Sequence, residues 1–154
     1  MALTTLGNTA FGTSSVVSAA IKDNAVVFNK LDANTAHTDR NQSFTVAQRG
    51  AISALGVQTS TVTLNMNTSN YFSLTANGNI TIANPSNRTA GQAGALFVTA
   101  NGSFTTSFGS HWRFATGTAP TMSTVAGKVD RIDYVVQSAN TIHAVATIDL
   151  LGTA

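Results

Sequence analysis

The sequence predicts a mainly β protein, an antiparallel β-sandwich or flattened barrel preceded by a short N-terminal helical or extended anchor. Three observations lead there. From Val62 to Ile148 apolar residues alternate with Thr, Ser and Asn in many short runs, the period-two pattern of half-buried strands. Asn-Gly pairs and Gly-, Pro- and Ser-containing stretches punctuate those runs, as short antiparallel strands require. Thr, β-branched and suited to a pleated surface, stands where charge is usual: charged residues make up 9% of the chain, against roughly 25% in typical soluble domains.

A chain of 154 residues suits one compact domain plus an appendage, and such a domain buries a core without staples. The absence of cysteine removes disulfides, Cys-ligated zinc and thiol nucleophiles together. The eight Lys and Arg residues are dispersed, whereas nucleic-acid binding needs clustered cations to displace counterions from phosphates. No apolar run reaches the roughly 18 residues of a membrane helix. Met1-Ala2-Leu3-Thr4-Thr5 lacks the basic and apolar regions of a signal peptide, so folding in the cytosol of synthesis is expected. Five Asn-x-Ser/Thr sequons, at Asn41, Asn67, Asn79, Asn87 and Asn101, are what this composition produces by chance.

Residues 1–13 read as an extended arm with Gly7 and Gly12. Ser14 or Ser15 can then cap a helix, and Val17, Ile21, Asn24, Phe28 and Leu31 follow at spacings of four and three, a single seam of heptad type. Two heptads do not make a stable isolated coiled coil. The seam needs cover from other subunits or a host surface, or else the helix packs on its own domain. Residues 32–43 are polar and aperiodic, a linker, which sets the domains at 1–42 and 43–154.

Phe44-Thr45-Val46 alternates briefly, and Ala51–Leu55 after Gly50 reads as extended. Val62, Leu64 and Met66 alternate with Thr61, Thr63 and Asn65, and Phe72 and Leu74 with Tyr71 and Ser73. Asn77-Gly78 is a hairpin signal leading into Ile80 and Ile82. After the breaks at Asn84–Asn87 and Gly91–Gly94 comes Ala95–Thr99, then a second hairpin signal, Asn101-Gly102, before Phe104, Thr106 and Phe108. Trp112-Arg113-Phe114 is a short strand, and a loop with Pro120 follows. Ile132–Val136 and Ile142–Ile148 form the last pair, joined through Ser138-Ala139-Asn140. Seven or eight short strands at this spacing suit a sandwich or barrel.

Catalytic patterns are thin, and the reading is not an enzyme. His37, His111 and His143 have no His or Glu three or four residues away, so no metal spacing arises and no metal or cofactor is expected. Asp130 and Asp133 flank Arg131; a cap at the start of a strand or an ion pair with Arg131 explains them better than a catalytic carboxylate pair. An Asp133–His143 pairing across the final hairpin, with Ser138 near, is conceivable on paper. Gly91-Gln92-Ala93-Gly94 lacks the Gly-Lys-Ser/Thr ending of a phosphate loop and reads as a turn. Among Phe97, Phe104, Phe108, Trp112, Phe114 and Tyr134, packing in the core is expected for most. Trp112, between His111 and Arg113, is the candidate for stacking on a sugar. With Asn87 and Arg88 these residues define the expected binding surface: Asn87, Arg88, His111 and Trp112.

In order along the chain stand Asn84-Pro85-Ser86-Asn87, Gly91-Gln92-Ala93-Gly94, Trp112-Arg113-Phe114, Gly117-Thr118-Ala119-Pro120-Thr121-Met122-Ser123-Thr124, Asp130-Arg131-Ile132-Asp133-Tyr134-Val135-Val136 and Ile142-His143-Ala144. This succession, over about residues 44–149, resembles a β-domain of tailed-bacteriophage virion proteins of the tail-fibre type. Val26–Leu31 is similar to N-terminal parts of phage fibres. The resemblance implies no enzymatic activity, a homotrimer, and docking on baseplate, tail or capsid proteins through the N-terminal segment. Subunit or anchor contacts would then fall to Val17, Ile21, Phe28 and Leu31, and contact with host or glycan to loops around 67–70, 84–89 and 109–118. The expected location is the virion. A short trimeric tail fibre is the leading expectation; a trimeric capsid decoration protein and a carbohydrate-binding module built on Trp112 are the alternatives.

Overall fold

The computed structural model describes residues 47–150. The expected anchor, its seam of Val17, Ile21, Phe28 and Leu31, and Phe44-Thr45-Val46 lie outside the described residues. The described chain is mainly β. Its nine strands are β1 (Ile52–Gln58), β2 (Thr61–Val62), β3 (Tyr71–Ala76), β4 (Ile80–Ile82), β5 (Ala93–Ala100), β6 (Thr106–Phe108), β7 (Trp112–Arg113), β8 (Val129–Ser138) and β9 (Thr141–Leu150). One sheet has six strands in the order β1-β3-β5-β8-β9-β7, the other three in the order β2-β4-β6.

The expected all-antiparallel arrangement is corrected. β1, β3 and β5 run parallel to one another, as do β2, β4 and β6, and β7 is parallel to β9. Only β5–β8 and β8–β9 are antiparallel among the described strands. The chain coils three times around one core, leaving a strand in each sheet per coil, and the β8–β9 hairpin then extends the larger sheet. This is a short solenoid, in which each coil rests on the one before.

Asn77-Gly78 and Asn101-Gly102 are therefore corners from the larger sheet to the smaller, not hairpin turns. A type I′ hairpin needs positive φ at both central residues; neither Asn77 nor Asn101 is positive, nor is Gly78. The corners stack instead. Asn77 N donates to Gln58 O at 2.8 Å and Asn101 N to Ala76 O at 3.0 Å. The Asn101 Nδ2 donates to Asn77 Oδ1 at 3.1 Å. Thr75-Ala76-Asn77-Gly78 and Thr99-Ala100-Asn101-Gly102 are the same four residues repeated one coil later, 24 positions on.

The core is the alternating inner row of each strand. Val62, Leu64, Met66, Ile80 and Ile82 from the smaller sheet's side meet Phe72, Leu74, Leu96, Val98, Ile132 and Val136 from the larger. Each buried Val, Leu, Ile or Phe contributes about 1.5–3 kcal/mol, which holds the two sheets face to face. Alternation through Leu64 and Met66 persists beyond the two paired residues of β2, because both remain buried.

Two polar ties fasten the C-terminal hairpin to the coils. Tyr134 points inward and its hydroxyl donates to Asn70 O at 2.7 Å, while Ala95 N donates to the same oxygen at 3.1 Å. Gly94, opposite Tyr134 across β5–β8, lets that carbonyl approach. Asp130, buried, accepts from Ser123 N and Ser123 Oγ, both at 2.6 Å, and from Asp149 N at 2.8 Å. It thus pins the Pro120 loop, whose Met122 enters the core, to an irregularity in the β8–β9 ladder. Arg131 and Asp133 form an ion pair at 2.9 Å. The expected ion pair with Arg131 is thus formed by Asp133, while Asp130 ties the loop to the hairpin instead of capping the start of its strand.

A methyl group at position 94 would stand 1.7 Å from Asn70 O and 2.8 Å from the Tyr134 hydroxyl. Gly94→Ala is expected to cost on the order of 3 kcal/mol, seen as a lower urea midpoint at unchanged m value.

Candidate interaction surface

Because successive side chains in a strand point to opposite faces, the inner rows leave two outer faces, and their chemistry differs. On the three-stranded sheet Thr61, Thr81 and Ser107 are register partners, with the Thr81 and Ser107 hydroxyls 2.8 Å apart. Beside them Asn79 Oδ1 accepts from Thr105 N at 3.0 Å, and Asn84 Nδ2 donates to Ser110 Oγ at 3.3 Å. Hydroxyls and amides thus satisfy one another from coil to coil along this face.

The six-stranded sheet presents the opposite character. One outer row runs Ile52, Tyr71, Ala95, Asp133, Val145, and another Ala93, Val135, His143, Arg113. Ile52 is 57% exposed, Val135 50% and Val145 67%; Val57, Tyr71 and Leu150 on the same sheet are exposed too. An open groove of about 650 Å³ crosses this face, lined by Tyr71, Arg113, Asp133, Val135, His143 and Val145 among others. Its polar groups already have partners. Asp133 holds Arg131, Arg113 Nη1 donates to Ser110 O at 2.6 Å, and His143 Nε2 lies 2.8 Å from Gln137 Oε1. The paper pairing of His143 with Asp133 and Ser138 is not formed: the register partner of His143 on β8 is Val135.

Of the four expected surface-binding residues Trp112 is buried, while Arg88 and His111 are half-buried and Asn87 is exposed, each hydrogen-bonded within the chain. Trp112 is 5% exposed and its Nε1 donates to Ala83 O at 3.1 Å. Its ring meets Tyr134 edge-on at 6.0 Å and Phe108 at 5.9 Å, while Phe108 in turn meets Phe114 at 4.8 Å. Trp112 is a corner of the aromatic core, so the stacking platform expected of it is corrected. Arg88 clamps the 84–92 loop to the final hairpin, its Nε donating to Ala139 O and its Nη1 to Pro85 O. Asn87 takes positive φ and donates to Asn65 Oδ1 at 2.9 Å, one coil below. His111 N donates to Asn84 Oδ1 at 2.8 Å, and its Nδ1 is buried with no hydrogen-bond partner. Phe97 departs from the expected core set in the other direction: flanked by buried Leu96 and Val98, it faces outward on the six-stranded sheet.

Among the described residues no three His, Asp or Glu side chains converge as metal ligands, and no helix is long and apolar enough to cross a membrane.

Burial, and after it the neighbouring Tyr71 phenol, pushes the Tyr134 phenol up from 10.0 to about 12. The unfolded chain releases this proton near pH 10 and the folded chain holds it to about 12, so ν_U falls below ν_N and stability drops as pH rises. Stability is expected to be full below pH 10 and to decline from there toward 12. In alkaline denaturation followed by circular dichroism, Tyr134→Phe flattens that decline.

Trp112 is the sole tryptophan, so its fluorescence reports on one site. Emission is expected to be blue-shifted, shielded from acrylamide, and unchanged by soluble glycans; a glycan-dependent change would contradict its burial. Compared with known proteins, the chain matches no protein family, no curated protein and no solved structure.

Proposed function

We propose that this chain is a non-catalytic structural protein of a bacteriophage virion, a short trimeric tail fibre attached through residues 1–42 and presenting the β-domain toward the host surface. The observation that carries the reading is the contrast between two outer faces of one β-domain. One exposes large apolar side chains on the outer side of the six-stranded sheet, the mark of a surface meant for protein contact. The other is solvated by laddered hydroxyls and amides. A domain so divided is suited to assembly on one side and exposure on the other. The phage setting rests on the resemblance carried by the motifs from Asn84 to Ala144.

The coil construction supports a mechanical role. Each coil is bonded to the next by backbone ladders and by side-chain steps at Asn65–Asn87, Asn77–Asn101 and Thr81–Ser107, with few charges involved. Neutral hydrogen bonds of this kind are insensitive to the ionic strength that screens surface ion pairs. A carbohydrate module centred on Trp112 loses its central residue to the core, so no sugar site is proposed there.

Immunogold labelling of phage particles with antibody against the chain tests the reading. Label on tails is expected. Label confined to heads favours a capsid decoration protein, and particles without label remove the virion assignment altogether.

A further inference from the structure

We propose that the stacked corners Asn77-Gly78 and Asn101-Gly102 form a spontaneous modification site, at which one asparagine loses its side-chain amide, becoming aspartate or isoaspartate, and thereby protects the other. The inference is independent of the virion reading and concerns the chain's own chemistry.

The fold sets out the reacting groups. An asparagine deamidates when the backbone nitrogen of the next residue attacks its Cγ, and glycine shields that nitrogen least. The chain has two Asn-Gly pairs, and both are corners from the larger sheet to the smaller. Both asparagines are exposed. Among the described residues Gly78 N and Gly102 N donate to no acceptor, whereas Asn77 N and Asn101 N are held between coils at 2.8 and 3.0 Å. The attacking nitrogens are therefore the ones the coils leave free. Packing keeps the glycines in place. A Cβ at position 78 would stand 2.9 Å from Thr59 O, and one at position 102 would stand 2.9 Å from the Phe104 ring. The other described asparagines lack this arrangement. Asn65, Asn67, Asn70, Asn79, Asn87 and Asn140 precede side chains that crowd the nitrogen, and Asn84 precedes Pro85, which has no N–H.

The step balances with water alone. The glycine nitrogen bonds to Cγ, and its proton passes through water to the departing Nδ2, which leaves as ammonia when the Cγ–Nδ2 bond breaks. The succinimide so formed takes up one water, which opens it at either carbonyl and leaves a carboxylate on the corner.

The bond between the corners limits the reaction to one event. Asn101 Nδ2 donates to Asn77 Oδ1 at 3.1 Å. Once either residue carries a carboxylate, the amide remaining on the other donates to it, a charge-assisted bond stronger than the neutral one it replaces. A second event would remove that last donor and set two carboxylates where two amides now touch. Loss of a bond to a charged group and repulsion at close range both oppose it.

The test is incubation of the full, purified chain in warm, mildly alkaline buffer, followed by intact mass, ammonia release and peptide mapping. The folded chain is expected to gain about 1 Da and one negative charge on isoelectric focusing, faster as pH rises because the attacking nitrogen must lose its proton. The gain falls in the peptides carrying residues 77 and 101, with the second event in the same molecule about tenfold slower than the first. In urea, where the stack is gone, both corners react independently. Asn77→Asp and Asn101→Asp place the carboxylate in advance, and Asn77→Ser and Asn101→Ser are neutral counterparts at the same exposed corners; circular dichroism verifies their folding. The remaining Asn-Gly is expected to react about tenfold more slowly in each Asp variant than in the matching Ser variant. A folded chain that gains no mass at residues 77 and 101 overturns the site. Two events per folded chain at the rate of independent sites, or Asp variants that react as fast as the Ser variants, overturn the protection of one corner by the other.

Discussion

The Tyr134 hydroxyl on the Asn70 carbonyl is the contact on which the two halves of the β-domain depend. Three parallel coils form one half and an antiparallel hairpin the other, and a change of strand direction between β5 and β8 joins them. Tyr134 crosses that join from the inside. It reaches past Gly94 to the residue just before β3, and its ring closes edge-on against Trp112 of β7. Any side chain at position 94 larger than hydrogen would separate the hairpin from the coils. The raised Tyr134 phenol follows from the same burial, so the alkaline limit of stability and the geometry of the join have one cause.

The strands themselves were legible from alternation. β3, β4, β5, β8 and β9 fall where strand-like runs predict them, β1 covers the segment read as extended after Gly50, and the β8–β9 pair is the antiparallel hairpin the Ser138–Asn140 turn indicates. Strand direction was not legible from that signal, because alternation is identical in parallel and antiparallel sheets. Asn-Gly added a false cue. In a hairpin the pair supplies two positive φ angles, whereas here Asn77 and Asn101 are selected for amide side chains that bond from one coil to the next. The cue for parallel coils was the repetition of Thr-Ala-Asn-Gly one coil apart, a periodicity of the kind that marks solenoids. With three coils of unequal length, only that fragment of the repeat survives in the residues themselves.

The burial of Trp112 was hidden for a related physical reason. Trp112, Arg88, Asn87 and His111 are the types that recognise ligands, and they are also the types a low-charge solenoid needs for its own closure. With few ion pairs available, Arg88 serves as a backbone clamp and Asn87 as a step between coils. The one indole fills the gap where the smaller sheet meets the hairpin, with its N–H satisfied by Ala83 O. What sequence pattern conceals is which of two alternating rows faces inward. Val135 and Val136 are adjacent and alike, yet Val136 is core and Val135 half exposed. Only the closure of the coils decides between them.

That choice of row explains how a chain with 9% charged residues divides its surface. A protein short of charge has two ways to meet water or a neighbour: polar neutral groups that hydrogen-bond, or apolar groups that another surface must cover. The β-domain uses each on a separate sheet. On the three-stranded sheet the parallel register brings Thr61, Thr81 and Ser107 into line, so hydroxyls pair along the stack and stay solvated. On the six-stranded sheet the antiparallel hairpin adds Val135, Val145 and Leu150 beside Tyr71 and Ile52, widening an apolar area the coils alone would leave narrow. The hairpin thus has two consequences from a single pairing. Its inner row completes the core through Ile132, Tyr134 and Ile142, and its outer row widens the apolar part of the sheet's other face. A substitution on the inner row therefore removes core packing while one on the outer row leaves the core intact, which is why Val135 and Val136, neighbours in sequence, are expected to differ in what they cost the fold.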